Sequence, residues 1–234
     1  MAKIEPTVPH VPPVYVEAAR SASALAGTSF SGVLSQVSQE SSFKADAKNR
    51  TSTAVGPAQF LESTWLDMMR RHGAAYGLGE LAGKIGQDKA GKPVVADAKA
   101  RAQILELRKD PHLSAGMAAR YLDEVGGKLE KSLGRPVSVV EKRMAYLFGP
   151  YGAAKLLKTA ATNPSVSATD VLPNAARANP RLFKDTTGAA LPAGTMVARL
   201  KHQIGVDLQR FAQIEQAFPK GQVNDAVVDR PPLG

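Results

Sequence analysis

The sequence predicts a mostly helical fold in a single domain, and three observations carry that prediction. Long Ala-rich and Leu-rich stretches with few β-branched runs favour helix. Apolar residues recur at i, i+3, i+4 and i+7, the repeat of a helix with one buried face. Helix starts and stops are marked by Ser, Asp and Pro before a segment and by Gly after it. The 234 residues fit one large domain or two small ones. No internal repeat or clear linker divides them, so one domain spanning 14–217 is expected. It is flanked by an extended arm at 1–13 and a flexible tail at 218–234.

The elements follow in order. Four prolines (Pro6, Pro9, Pro12 and Pro13) make 1–13 extended. Pro13 opens a helix that runs to about Ala26 and stops at Gly27. A second helix starts near Thr28 or Ser29, with Phe30, Val33, Leu34 and Val37 on its apolar stripe. At about 100° per residue, Glu40 falls at the edge of that stripe in the last turn. The polar stretch 41–56 reads as turns, with room for a short β-ribbon near 44–56. A helix follows with Ser63 as the expected N-cap, Trp65, Met68 and Met69 inward, and Gly73 at its end. Residues 76–96 are Gly-rich and read as a loop, before a helix from about Ala96 to Arg108.

Asp110-Pro111 is an N-cap followed by a first-turn proline, opening a helix expected to end at Gly126-Gly127. Ser138 and Glu141 have capping-box spacing and place a helix at about 139–148. Gly149-Pro150 restarts the chain for a helix over 151–160. Four prolines break 161–194 into short helices. The last helix, about 195–217, carries Met196, Leu200, Ile204 and Leu208.

Composition excludes several functions. There is no cysteine, which removes disulfides, thiolate catalysis and Cys-ligated metal sites. The four histidines form no metal-binding pair, so neither a metal nor another cofactor is expected. No apolar run approaches the roughly 18 residues of a membrane span. The first residues lack the continuous apolar core of a secretion signal. The net charge of +9 favours polyanionic partners, among them an anionic bacterial envelope. The basic residues are scattered and match no nucleic-acid-binding motif, so a specific nucleic-acid partner is not expected.

Three short segments are candidates for chemistry. Glu40 lies at the negative end of a helix dipole, beside an apolar stripe. Both settings disfavour a charged carboxylate and raise its pKa. That suits a general acid, although a merely misplaced structural acid looks the same. Gly56-Pro57-Ala58-Gln59-Phe60 reads as a turn into a helix, with Gln59 either incidental or aimed at a ligand. Tyr146 in Ala145-Tyr146-Leu147-Phe148-Gly149-Pro150 is either core or a ring whose hydroxyl reaches a cleft. Read alone, the last two have ordinary structural explanations.

Read together, they resemble the lytic transglycosylase family with the lysozyme-like catalytic domain. Glu40-Ser41 looks like its Glu-Ser signature. Gly56 and Gln59 look like its Gly-Leu-Met-Gln turn, and Ala145-Tyr146 with Gly149 looks like its Ala-Tyr-Asn-x-Gly motif. Asp110-Pro111 and Tyr121-Leu122 stand where the family has an Asp-Pro start and a Tyr-Leu end. The transglycosylase domain of modular phage endolysins is more similar still, over roughly 28–186. "QESSFKADAKNRTSTAVGPAQFLESTW", "LRKDPHLSA", "FGPYGAAKLL" and "ARANPRLF" carry that resemblance. Leu147 replaces the family's Asn, and Pro57-Ala58 replace Leu-Met.

The resemblance implies a lysozyme-like fold and cleavage of the β-1,4 bond between N-acetylmuramic acid and N-acetylglucosamine in peptidoglycan. It implies a 1,6-anhydro product and one carboxyl, Glu40, as both acid and base. Gln59 and Tyr146 would orient the acid and the sugar. Ser41 and Ser52 would add hydrogen bonds, and Phe60 would stack or pack below the site. Asp46 and Glu62 are the only other acids near the motif segments. A monomer acting on glycan strands of the wall, made in the host cytoplasm as a phage endolysin or virion-associated lysin, is the expected setting. A hydrolytic muramidase is the nearest alternative. A non-catalytic wall-binding protein is an alternative of another class, and a nucleic-acid-binding protein rests on charge alone.

Overall fold

A computed structural model describes residues 10–50 and 52–217, and those residues are mostly α-helical. The first helix, α1 (Pro13–Ala26), begins on its proline. It ends on Gly27 in the left-handed conformation, φ 63°. The second, α2 (Phe30–Ser41), is capped by Ser29, whose Oγ accepts from the Gly32 N–H at 3.0 Å. Both match the expected boundaries, α1 through Pro13 and Gly27 and α2 through its Ser29 cap and apolar stripe.

The helix α3 (Glu62–His72) starts one residue before the expected cap. Ser63 lies inside its first turn, and Leu61 occupies the cap position without a side-chain bond. Thr53 takes over the capping role, since its Oγ1 accepts from the Glu62 N–H at 3.2 Å. Gly73 ends the α-helix, and a tighter 3-10 turn, Gly73–Tyr76, continues from it.

The β-structure is not where it was expected. Among the described residues of 44–56 there are only isolated antiparallel bridges, Lys48 with Val55 and Val55 with Phe60. The two-stranded sheet lies in the stretch read as a loop, which also holds the short helix α4 (Gly79–Gly83). Its strands β1 (Gly86–Gln87) and β2 (Pro93–Val94) pair antiparallel. The Asp88 carboxylate closes the hairpin by accepting from the Ala90 and Lys92 N–H groups, both at 2.8 Å. The helix α5 (Ala98–Glu106) is capped by Asp97 and runs into a 3-10 turn, Leu107–Lys109.

The helix α6 (Pro111–Leu133) passes straight through Gly126-Gly127 and stops only at Gly134, φ 71°. Glycine costs a helix about 1 kcal/mol relative to alanine. Burial of Val125 and Leu129 on either side offsets it. A Cβ on Gly126 would come within 2.8 Å of the Lys142 side chain, so the missing side chain permits close helix packing. The helix α7 (Val139–Thr162) carries the expected capping box and a kink at Gly149. Short helices α8 (Ala168–Val171) and α9 (Pro173–Ala178) and a 3-10 turn, Pro180–Phe183, lead to α10 (Ala193–Ala217).

Helix α6 unites the core because different faces of it enter three apolar clusters. Ala115 and Ala119 pack with α1, α2 and the end of α10, against Tyr15, Leu34, Phe211 and Ile214. Met117 and Ala118 pack with Trp65, Met68 and Met69 of α3 and with Ile104. Val125 and Leu129 pack with Met144 and Leu156 of α7 and with Met196 and Leu200 of α10. Among the described residues, no helix is long and apolar enough to cross a membrane. The expected arm overlaps the described residues only from His10 onward, and the expected tail lies outside them.

Candidate active site around Glu40

Glu40 is carried by the end of α2. Phe30, Val33, Leu34 and Val37 bury that helix on one side, and Gln36 is buried with them. The Glu40 Oε1 accepts from the Gln36 Nε2 at 3.0 Å, an i,i+4 pair on one helix face. Burial raises the Glu40 pKa above its ordinary value. The Arg143 guanidinium and the Gln36 bond pull it back only in part. Directly after Glu40 the chain leaves the helix through two left-handed residues that are not glycine, Ser42 (φ 52°) and Phe43 (φ 64°). That conformation costs an L-residue about 1–2 kcal/mol. The Phe43 ring holds it, packed 5.3 Å from Tyr15 and 6.0 Å from Phe211, centroid to centroid.

The turn at 56–60 approaches from another side. Gly56 has φ +86°, and a Cβ there would stand 2.0 Å from the Arg108 carbonyl oxygen. Only glycine fits. Its N–H donates to the Ala47 carbonyl at 2.8 Å. Gln59 is also left-handed, φ 50°, and its Nε2 donates to the Ala47 and Gly56 carbonyls at 3.0 and 2.9 Å. Arg108 clamps the turn from beneath, being only 8% exposed. Its Nη1 donates to the Thr53 and Phe60 carbonyls at 2.7 and 3.4 Å, and its Nε to that of Leu105 at 3.0 Å.

Tyr146 joins the two. Its hydroxyl donates to the Ala58 carbonyl at 3.0 Å. Gln36, the partner of Glu40, also bonds the phenol. Burial, reinforced by the negative charge of Glu40, holds the phenol well above its ordinary value of 10.0. It therefore stays a neutral donor. Its ring stands edge-on to Tyr121 at 5.2 Å, and Tyr121 stands edge-on to Phe60 at 6.2 Å. Tyr146 is aimed by the first half of α7, which the capping box starts. There the Ser138 Oγ accepts from the Glu141 N–H, and the Glu141 carboxylate accepts from the Ser138 N–H at 3.0 Å. Gly149, at φ 72° and ψ 158°, then turns the chain through a conformation that glycine alone tolerates.

The structure thus brings Glu40, Tyr146 and the 56–60 turn into one neighbourhood. The other expected residues have structural employment. The Ser41 hydroxyl turns back to donate to the Val37 carbonyl at 3.2 Å. The Ser52 Oγ accepts from the Ala54 N–H at 3.3 Å, within its own loop. The amide nitrogen of Gln59 is committed to the turn. Phe60 is 2% exposed and packs against Trp65, so its ring supports the site from within the core and cannot stack on a ligand. Of the other acids considered, Glu62 pairs with Arg101, and the charge of Asp46 acts on Tyr15.

Three residues of this neighbourhood are not among the expected site residues. Arg143 is 0% exposed, and its guanidinium carbon lies 5.6 Å from the centre of the Tyr146 ring. The only sequence signal for it is the i,i+3 spacing from Tyr146, which puts both on one face of α7. Gln36 is signalled in the same way by its spacing from Glu40. Arg108 lies in the quoted segment LRKDPHLSA, but nothing local there marks it as a clamp on the 56–60 turn.

Among the described residues, no group of three or more His, Asp or Glu side chains converges to hold a metal ion. An open hollow of about 520 Å³ lies elsewhere, beside α8 and α9, with Thr169, Arg177, Phe183 and Lys184 in its lining. None of the Glu40 group and no carboxylate is in its lining. No family model matches the chain.

Proposed function

We propose that the chain is a peptidoglycan lytic transglycosylase with Glu40 as its single acid and base. The observation that carries this reading is the setting of Glu40. It is a half-buried carboxyl whose pKa is raised by burial, next to a neutral Tyr146 and a rigid turn. A carboxyl of raised pKa donates its proton to the glycosidic oxygen as the bond from that oxygen to the muramyl anomeric carbon breaks. The muramyl 6-hydroxyl then attacks that carbon, and its proton passes to the Glu40 carboxylate. The acid is regenerated, no water is consumed, and the product is the 1,6-anhydro sugar. A second carboxylate, which two-carboxylate glycosidases need, is not required. The pairing of Glu62 with Arg101 agrees with that economy. The net charge of +9 supports approach to an anionic envelope.

Mass spectrometry of peptidoglycan digested by the intact protein and by Glu40→Gln tests the reading. Anhydro-muramyl ends are expected from the intact protein, and none from the variant. Reducing ends would replace the transglycosylase with a muramidase. Digestion that survives Glu40→Gln would remove Glu40 from the chemistry. Wall binding without any digestion would leave a non-catalytic binding protein.

A further inference from the structure

A fully buried arginine beside the acid has no part in the chemistry just described. Three elements hold Arg143. Its Nη2 donates at 2.5 Å to the Oε1 of Gln39, in the last turn of α2 next to Glu40. The Gln39 Nε2 donates in turn to the Asp207 carboxylate on α10. On its own helix, the guanidinium lies over the Tyr146 ring. Its Nε and Nη1 are buried without a hydrogen-bond partner. A buried cation with two unused donors is unusual, since buried donors are nearly always satisfied. Arginine keeps its charge even there.

We propose that Arg143 is a positioning residue for Glu40: through Gln39 it fixes the last turn of α2, and its charge offsets that of the carboxylate left when Glu40 gives up its proton. The proposal rests on Glu40 being the acid. The groups around the pair fit this role. Glu40 is the largest negative influence on Arg143, followed by Tyr146 and Asp207. Tyr121 on α6 faces Tyr146 and is itself held neutral, chiefly by burial. Tyr15 on α1 faces Asp110 and Asp46 instead. Arg143 is thus the one cation that draws Glu40 toward its charged form. Burial favours the protonated form of Glu40, and Arg143 limits the cost of the carboxylate once the proton has left.

The test is a carbon-13 NMR titration of the Glu40 carboxyl in the full chain, without substrate, beside steady-state kinetics of wall digestion. The signal is assigned by its loss in Glu40→Gln. In Arg143→Gln the Glu40 titration midpoint is expected to rise by about one pH unit or more, because an opposite charge has gone. The kcat should fall about 100-fold with KM little changed, because the lost contact matters after proton transfer. Arg143→Lys restores the charge without the planar fork, so it should return the midpoint and recover only part of kcat. Gln39→Met, at an exposed position, breaks the relay without opening the core and should lower kcat about tenfold at unchanged KM. If Arg143→Gln does not fold, the Arg143→Lys and Gln39→Met kinetics decide. An unmoved Glu40 midpoint in a folded Arg143→Gln, or full kcat in both other variants, overturns the proposal. If no variant nor the intact chain digests wall, the functional reading falls, and the titration still decides whether Arg143 governs Glu40.

Discussion

Two glutamates in this chain respond to pH in opposite directions, and the difference follows from their surroundings. The folded pKa of Glu40 is raised above its ordinary 4.5, so the native state binds this proton more tightly than the unfolded state. Its contribution to stability is complete below the ordinary value and is lost as pH rises through the folded one. Glu40→Gln, which on the proposed reading abolishes wall digestion, should therefore raise the melting temperature at neutral pH, by a few degrees at most. Calorimetry of the two proteins checks this, and a clear fall would mean that the carboxylate stabilises the fold. Glu141 is the reverse case. Arg135 grips it through two bonds, at 2.7 and 3.1 Å, and the Arg135 bonds lower its pKa from 4.5 to about 2. Its stabilisation is present above the ordinary value and is lost as pH falls toward about 2. Glu141→Gln should cost about 2 kcal/mol at neutral pH and much less at the acid end. Urea melts at both pH values measure that difference.

At the scale of elements, the 56–60 turn is the least replaceable part of the site. Gly56→Ala would drive a methyl group into the Arg108 carbonyl, 2.0 Å away, in a backbone conformation that alanine resists. A loss of about 3 kcal/mol or more is expected, with digestion lost as the turn moves away from Tyr146. A urea melt showing a loss under 1 kcal/mol, taken as about the ordinary surface effect, would contradict it. The elements legible in the sequence are those with strong boundary signals, such as α1 with Pro13 and Gly27, α2 with Ser29 and its apolar stripe, and the first half of α7 with its capping box. The failures have physical causes. Gly126-Gly127 looks like a stop because glycine disfavours helix locally, yet α6 is held by tertiary burial on both sides. Ser63 looks like a cap, yet Thr53 supplies the bond from a neighbouring loop. The same division runs through the site. Glu40 is marked by its place at the end of the α2 stripe, and Tyr146 only by the resemblance that its segment carries. Arg108 acts on carbonyls about fifty residues away, and Arg143 reaches Gln39 across 104 residues. Such contacts exist only once the helices have packed.

Over the whole molecule, 30 Lys and Arg residues outnumber 21 Asp and Glu residues. On the proposed reading, long-range attraction speeds encounter with the envelope, and salt screens it over about 10 Å at 0.1 M. Clearing of wall suspensions should slow severalfold between about 50 and about 300 mM salt, while the proton chemistry at Glu40 is little affected. Turbidity kinetics at several salt concentrations would show it. A rate flat in salt would remove charge from the account of targeting.

The exit from α2 sets when the site can exist during synthesis. Phe43, which holds that exit, rests on Phe211, and Gln39 is bonded to Asp207, 168 residues further along. Glu40 is synthesised well before these supports, which stand on α10. Until α10 docks, the left-handed pair after Glu40 lacks one of its aromatic supports and Gln39 lacks its anchor. A nascent chain therefore carries Glu40 without the surroundings that tune it until α10 is made, and docking of that helix completes them.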